Sequence, residues 1–279
     1  MEIFNPKENK IEKGSNVTIH AVFTRHGEKG YSTITPDTGL TEEGKKKSFA
    51  TGAEREEVDM VKPYSSRTER TKETSELEAQ GSPTLKKGEY RVREGLGFPL
   101  DPQSEFSQRA QKIKKDIVGE THLKKDSEEF KKLLAQASDA QTDYYLSFGD
   151  KKPDSLAPSP VEAAANLAKL IDNYSRMAKK INSGSEVDLI NATHDLNLAA
   201  FLKEVLVREI DKRRTVGFDS VKDIGGAFDF NENFEVLIRT DAGGQESRAL
   251  LFRGKEFEID EKRFTELVDI YDKKNEPDK

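Results

Sequence analysis

Two stretches of the chain have the apolar pattern of buried β-strands. In residues 17–24, VTIHAVFT, apolar side chains occupy every second position, and a period of two predicts a strand. Residues 187–193, VDLINAT, are strongly apolar and predict another. A histidine stands close behind each run, His26 after the first and His194 after the second. Because active sites of α/β folds lie at the carboxyl ends of strands, these histidines mark the first candidate site.

The segments after the first strand carry the signals of helix starts. Thr41, followed by two glutamates, predicts the N-cap of a helix that runs to about Val58. Ser66 and Glu69 have the spacing of a capping box, which predicts a second helix ending at Gly81. Short extended segments are predicted over 60–64 and 90–94.

The pattern between residues 101 and 184 is almost wholly helical and indicates an inserted helical cap. Its clearest helix begins at Ser159, where a proline follows at the first helical position and Glu162 completes a capping box. The tail after Tyr271 is expected to fray. The rest of the C-terminal part predicts a helix over 196–207, strands over 224–230, 234–240 and 248–252, and turns over 231–233 and 241–244.

Composition narrows the possible classes of function. The 279 residues are 34% hydrophobic and 35% charged, with a net charge of -6 and no cysteine. Charges of both signs are interspersed, so we expect neither a nucleic-acid partner nor a membrane partner. No apolar run approaches the ~18 to 20 residues of a membrane span, and the start, MEIFNPKENK, lacks the apolar region of a secretory signal. We expect a cytoplasmic protein; the processed form of an exported protein is the alternative.

Positions along the predicted elements separate the four histidines. His20 stands in the middle of the first strand and is expected to be structural, and His122 in the helical cap is expected to be solvated. His26 and His194 remain as candidates for chemistry. Arg70 lies in the first turn of the second helix, and its spacing from Thr74 predicts a side chain that leans toward the sheet.

Four blocks of sequence together resemble a known family. They lie in the family's order, and four matches in order are far less probable by chance than one tripeptide. The family is the histidine phosphatase superfamily, whose fold is phosphoglycerate mutase-like, and the last block resembles the His-Asp pair of its acid phosphatase branch. The blocks are TRHGE at 24–28, LTEEG at 40–44, SSRTERT at 65–71 and THD at 193–195.

The resemblance implies an α/β fold in three layers. A central, mostly parallel sheet is expected between layers of helices, with the helical cap inserted as a subdomain. All residues, 1–279, are expected to form a single domain. Its core is predicted to comprise about 14–100 and 185–260, and the cap about 101–184.

The resemblance also implies a phosphomonoester hydrolase that uses no metal or other cofactor. His26 would attack phosphorus and become a phosphohistidine. Arg25 and Arg70 would hold the phosphate, because guanidinium groups stay charged and bind phosphate oxygens in pairs. His194 would supply a further donor. The expected partner is a small phosphorylated substrate, and the oligomeric state is not predicted.

Two carboxylates compete for the role of the acid that protonates the leaving group. Asp195 is the first choice, from the resemblance to the acid phosphatase branch, and Glu94 in REGLG at 93–97 resembles the corresponding loop of the mutase branch. If neither carboxylate takes part in catalysis, Asp195 is a helix cap and Glu94 is a solvated residue. Glu28 is a further candidate for substrate binding. Arg67 is either a second substrate contact or a solvated residue at a helix start.

Two other functions compete with hydrolysis. One is a phosphoglycerate-type phosphomutase, although the residues after Glu28, KGYS, lack the Asn-rich, Trp-containing run that mutases carry there. The other is a silent protein that binds a phosphorylated ligand without turnover. Silent relatives usually lack one of the four central positions, whereas this chain keeps Arg25, His26, Arg70 and His194, which favours an enzyme.

Overall fold

A seven-stranded sheet forms the centre of the molecule in a computed structural model, which describes residues 12–30, 38–119 and 127–275. A separate two-stranded ribbon is formed by β5 and β6. In chain order the strands are β1 (Thr18–Arg25), β2 (Met60–Ser65), β3 (Arg91–Val92), β4 (Glu186–Thr193), β5 (Val207–Ile210), β6 (Arg213–Val216), β7 (Asn233–Thr240), β8 (Glu246–Phe252) and β9 (Lys255–Phe257).

The strands of the large sheet lie in the order β3-β2-β4-β1-β7-β8-β9. The first four run parallel, and β7, β8 and β9 add antiparallel pairs on the other side of β1. The expected α/β class is therefore confirmed, with a parallel centre and an antiparallel edge. Parallel pairing brings the carboxyl ends of β1, β2 and β4 to one edge of the sheet.

Helices cover both faces of this sheet. The helices α1 and α2 lie on one face, α5 and α6 lie on the other with α7 packed on them, and α3 pairs with α4, which contacts α6. They are α1 (Glu42–Ala53), α2 (Glu69–Gly81), α3 (Glu105–Val118), α4 (Glu128–Leu146), α5 (Pro160–Ala178), α6 (Asp195–Val205) and α7 (Glu261–Asn275), with 3-10 turns at Glu94–Leu96 and Val221–Ile224. No helix of the described residues is long and apolar enough to cross a membrane.

The larger core lies between the sheet and α5 and α6. The predicted capping box of α5 is present, with Ser159 and Glu162 each bonded to the backbone of the other. Along β1, alternate residues enter this core, and Phe23 stacks on Phe234 of β7, which stacks in turn on Phe201 of α6. Centroid distances of 5.2 Å and 5.4 Å make this aromatic column the link between β1, β7 and α6.

Some predicted boundaries are wrong for local reasons. The first helix ends at Ala53 rather than near Val58. The predicted capping box at Ser66 does not form, because Thr68 is the N-cap of α2 and the Ser66 hydroxyl contacts the hydroxyls of Thr68 and Thr71. These three hydroxyl groups satisfy one another instead of the helix terminus.

The C-terminal third departs most from the sequence patterns. Residues 224–230 were expected to form a strand, but Gly225 and Gly226 adopt φ of 94° and 104°, which extended backbone does not allow. The predicted helix over 196–207 stops at Val205, and β5 begins two residues later. The elements β6, β9 and α7 were not predicted, and α7 continues past Tyr271. His122 lies outside the described residues.

His20 has the structural role that its place in mid-strand predicts. Its ring nitrogens lie 2.6 Å from the carboxylate of Glu235 and 2.8 Å from that of Glu186, on the strands beside β1. Burial alone lowers the pKa of His20, but the two carboxylates outweigh it and raise the pKa to about 9. The imidazolium therefore joins three strands at neutral pH.

This arrangement predicts a pH-dependent contribution to stability. Because the folded pKa exceeds the unfolded value, the contribution is complete below pH ~6.5 and is lost as the pH rises through about 9. Replacing His20 by Gln is expected to lower the free energy of unfolding by about 2 kcal/mol at pH 6, measured by urea denaturation. The loss should vanish at pH 10. An equal loss at both pH values would show that the charge of His20 is not involved.

Candidate active site

The two candidate histidines meet because their strands are paired in register. Arg25 at the end of β1 stands opposite Thr193 at the end of β4, and the backbone N–H of His26 donates to the carbonyl of Thr193 at 3.0 Å. The rings of His26 and His194 lie with centroids 5.4 Å apart at 72° to each other. Both side chains are almost completely buried, so the pair forms the floor of a site at the sheet edge.

His26 is held in the form of a nucleophile. Its Nδ1 lies 2.8 Å from the carbonyl oxygen of Gly27, and since a carbonyl only accepts, Nδ1 carries the proton and Nε2 keeps its lone pair. Burial, together with the charges of Arg70 and Arg25, outweighs the carbonyl of Gly27 and the carboxylate of Asp195 and lowers the pKa of His26 to about 3. The ring is therefore neutral across the physiological range.

His194 stands beside it in a similar electrostatic environment. Burial, then the neighbouring His26 and the cations Arg70, Arg25 and Lys29, hold the pKa of His194 well below its ordinary value. Its Nε2 is buried and hydrogen-bonds no residue in the part of the chain that the structure describes. Such an atom is costly unless a ligand engages it, so its position fits an anion between the two rings.

Arg25 is fixed by the loop that precedes β7. Its guanidinium donates to the carbonyl of Phe228 and lies 4.4 Å from the ring centroid of Phe230. Backbone bonds hold the same residue from both sides, since Arg25 N–H donates to the carbonyl of Glu232 and its carbonyl accepts from Asn231. Phe228 and Phe230 belong to the segment 224–230, which was predicted to be a strand. In the structure this segment is a loop that holds Arg25. The guanidinium of Arg25 also lies 3.4 Å from the carboxylate of Asp195.

Arg70 reaches the site from the first turn of α2. Thr74, one turn later, accepts from the backbone N–H of Gly27 at 2.9 Å and donates to the carbonyl of Arg70 at 2.7 Å. The helix is thus tied directly to the loop that carries His26. The predicted lean of Arg70 toward the sheet agrees with its electrostatic effect on both histidines.

Lys29 is a cation of the site that sequence reasoning missed. Burial lowers its pKa, and so do the nearby cations Arg70, Lys114 and Arg25, while Asp195 opposes them. Its position three residues after His26 was the available signal, but a lysine in a loop is usually solvated. The site therefore holds a third cation beside the two arginines.

Asp195 and Glu94 occupy different environments. Asp195 lies 3.4 Å from the guanidinium of Arg25 with 22% of its side chain exposed, and it is the first residue of α6 rather than its N-cap, which is His194. Glu94 has 71% of its side chain exposed and is bound by Arg67 at 2.7 Å. The structure brings Asp195 to the histidines and leaves Glu94 and Arg67 paired with each other at the surface.

The segment that carries three of these site residues matches a known family model. Residues 21–97, a little over a quarter of the chain, match the model described as histidine phosphatase superfamily (branch 1). This segment is therefore similar to the histidine phosphatase superfamily. The matched residues include Arg25, His26 and Arg70. His194 and Asp195 lie beyond them, so the likeness to the acid phosphatase branch stays a prediction.

Solved structures of phosphatases are also similar to the chain. A mycobacterial glucosyl-3-phosphoglycerate phosphatase is 15% identical with a TM-score of 0.48, over 85% of this chain and 100% of that one. Phosphoserine phosphatase from Entamoeba histolytica, in complex with 3-phosphoglyceric acid, is 15% identical with a TM-score of 0.41, over 87% and 95%. TM-scores below 0.5 are too low for these likenesses to bear on function. No curated protein matches the sequence.

Glu28, the remaining candidate within the matched segment, contacts the start of α1. Its side chain is exposed, its carbonyl accepts from the backbone N–H of Thr41 at 2.9 Å, and its carboxylate lies 3.5 Å from the Thr41 hydroxyl. The contact joins the loop after His26 to the start of α1. Glu28 therefore supports the loop in this structure.

Asn197 is a second residue that the sequence did not single out. Its amide donates to Thr193 at 2.9 Å and to the carbonyl of Gly97 at 3.1 Å, and Thr193 donates to the carbonyl of Leu96 at 2.7 Å. These bonds fasten the segment after Glu94 to the end of β4.

In the described residues no group of three or more His, Asp or Glu side chains is arranged to hold a metal ion.

The electrostatics predict how the histidines titrate. Without a ligand, His26 should remain neutral down to pH ~4 and the pKa of His194 should lie well below its ordinary value, whereas inorganic phosphate should raise the pKa of at least one of them, because a dianion stabilises imidazolium. Ring nitrogen shifts of ¹⁵N-histidine-labelled protein report this between pH 4 and 8. His20, expected to stay charged to about pH 9, is the internal control. Titration of both rings near pH 6.5 without phosphate would contradict the described burial among cations.

Proposed function

We propose that the protein is a metal-independent phosphomonoester hydrolase that forms a phosphohistidine on His26. The observation that carries this proposal is a neutral imidazole, directed by the Gly27 carbonyl, beside the guanidinium groups of Arg25 and Arg70. Cations held close together in a partly buried site repel one another. A phosphate dianion between Arg25 and Arg70 would offset that repulsion.

In the first step, Nε2 of His26 attacks phosphorus as the bond to the leaving oxygen breaks. Arg25 and Arg70 neutralise the charge of the equatorial oxygens, and His194 donates to one of them once the phosphate has raised its pKa. Asp195, as the general acid, gives a proton to the leaving oxygen. The products are an alcohol and a phosphohistidine.

In the second step, water attacks the phosphohistidine and the N–P bond breaks. The Asp195 carboxylate takes a proton from the water as the P–O bond forms, which restores the acid for the next turnover. His26 recovers its lone pair, and inorganic phosphate leaves. Proton and phosphoryl group therefore balance over the two steps without any further cofactor.

Aromatic residues connect the proposed reaction centre to α3 and α4. Phe98 lies 6.5 Å from the ring centroid of His194 and 5.1 Å from that of Tyr145, and Tyr145 packs on Phe106 of α3. We propose that the leaving-group side of a small phosphorylated substrate contacts these aromatic residues. The inserted cap then corresponds to α3 and α4, while α5 packs against the sheet.

Hydrolysis of an aryl phosphate tests the reaction and the nucleophile. Release of phosphate should persist in EDTA, and His26→Ala should abolish it together with an acid-labile, base-stable phosphoenzyme. Activity that EDTA abolishes, or that survives in the variant, would contradict the proposal. Transfer between positions of a phosphoglycerate without net phosphate release would identify a mutase. Phosphate binding without turnover would identify a silent protein.

Paired carboxamide variants test the general acid. Asp195→Asn should lower kcat for a substrate with a poor leaving group by about 10² to 10⁴, because it cannot donate to the leaving oxygen. Glu94→Gln is the matched control and should stay within about threefold of the unmodified protein, since it removes an exposed ion pair. A reversed order of the two losses would transfer the role to Glu94.

A further inference from the structure

Glu78 is a buried carboxyl group that is bonded to two neighbours of Arg25. It lies on α2, eight residues after Arg70, and is completely inaccessible to solvent. Its Oε1 accepts from the hydroxyl of Thr24 at 3.2 Å and from the amide of Asn231 at 3.4 Å. Thr24 precedes Arg25 in β1, and the backbone of Asn231 donates to the Arg25 carbonyl at 3.1 Å. Both partners of Glu78 are therefore attached to Arg25.

Two buried acceptor atoms of this cluster lack a donor. Oε2 of Glu78 and Oδ1 of Asn231 hydrogen-bond no residue of the described ranges. The amide of Asn231 is already directed at Ser48, at 2.8 Å, and at Glu78. A carboxylate oxygen that receives no hydrogen bond is poorly stabilised in the charged form, so the free Oε2 favours a protonated carboxyl group at Glu78.

The charges around Glu78 favour this proton. Burial raises the pKa of Glu78 to about 7, although the guanidinium of Arg55 at the end of α1 and the bonds from Asn231 and Thr24 oppose the shift. Arg55 is itself engaged by Asp188 at 2.7 Å. The side chains that bond to Glu78 from β1 and the loop before β7 are the neutral groups of Thr24 and Asn231, and Ser48 of α1 contacts Asn231.

The carboxyl group has little freedom to leave this position. The helices α1 and α2 touch through backbone at Gly52, where a Cβ atom would lie 1.9 Å from the carbonyl oxygen of Glu78. On the other side of the cluster, a Cβ at Gly27 would lie 2.8 Å from the Ser48 hydroxyl oxygen. A change in the charge of Glu78 must therefore be accommodated by Thr24, Asn231 and the segment that they hold.

We propose that Glu78 is a positioning residue that regulates the site by its protonation. In the neutral form its carboxyl group holds Asn231 and Thr24, and thereby sets Arg25 against the phosphate. Loss of the proton leaves a negative charge buried in this cluster with no donor to Oε2 among the described residues. The inference rests on the proposed hydrolase only for its kinetic readout, because oxyanion binding by Arg25 depends on the same arrangement.

Glu78→Gln is the decisive variant, because glutamine keeps the shape and one donor of the neutral acid but does not titrate. We expect its kcat/KM for an aryl phosphate to equal that of the unmodified protein at pH 6 and to exceed it by about tenfold at pH 8.5. Glu78→Leu, which supplies no polar atom, should lower kcat at both pH values. Identical pH profiles of the Gln variant and the unmodified protein would overturn the proposal.

Vanadate binding separates this proposal from the hydrolase proposal. Measured by titration calorimetry, the affinity of the unmodified protein relative to Glu78→Gln should fall between pH 6 and 8.5, and vanadate's own ionisation cancels in the ratio. If this relative affinity falls but the protein shows no phosphatase activity, the result would support the role of Glu78 and overturn only the proposal that the protein is a hydrolase. A constant ratio would overturn the role of Glu78, even in an active enzyme.

Discussion

The register between β1 and β4 is the constraint on which the site depends. These parallel strands place Arg25 opposite Thr193, so the residues that follow them leave the sheet at the same level. A shift of one residue would turn alternate side chains to the opposite face, and the aromatic column through Phe23 would leave the core. The packing that fixes the fold thus also fixes the distance between His26 and His194.

Electrostatics then give this junction its chemical character. Burial and the cations keep both imidazoles neutral, so the site has nucleophilic nitrogen and positive charge at once. In water such nearby cations would be screened and the histidines partly protonated at mildly acidic pH. The enclosed site therefore has a surplus of positive charge that a phosphate dianion would complement.

Supports for these groups come from distant parts of the chain. The loop before β7 holds Arg25 through Phe228 and Phe230, while α2 holds the loop after His26 through Thr74. None of these contacts is made by residues near one another in sequence. A reacting group can be held accurately only when such second contacts restrict its rotamers, which explains why so much polar structure lies beneath the site.

The sequence by itself determined the elements that carry strong local signals. The alternation in β1, the apolar run of β4 and the capping box of α5 all predict what forms, and the motifs around His26 and Arg70 indicate the family. These features depend on neighbours a few residues apart, whose periodicity and capping chemistry are visible in a single chain.

Tertiary structure decided the rest. Gly225 and Gly226 convert an apolar stretch into the loop that holds Arg25, Glu94 is taken to the surface by Arg67, and Lys29 joins the site. Each of these outcomes depends on which distant group lies nearby in the folded protein, and spacing along the chain contains no information about that distance.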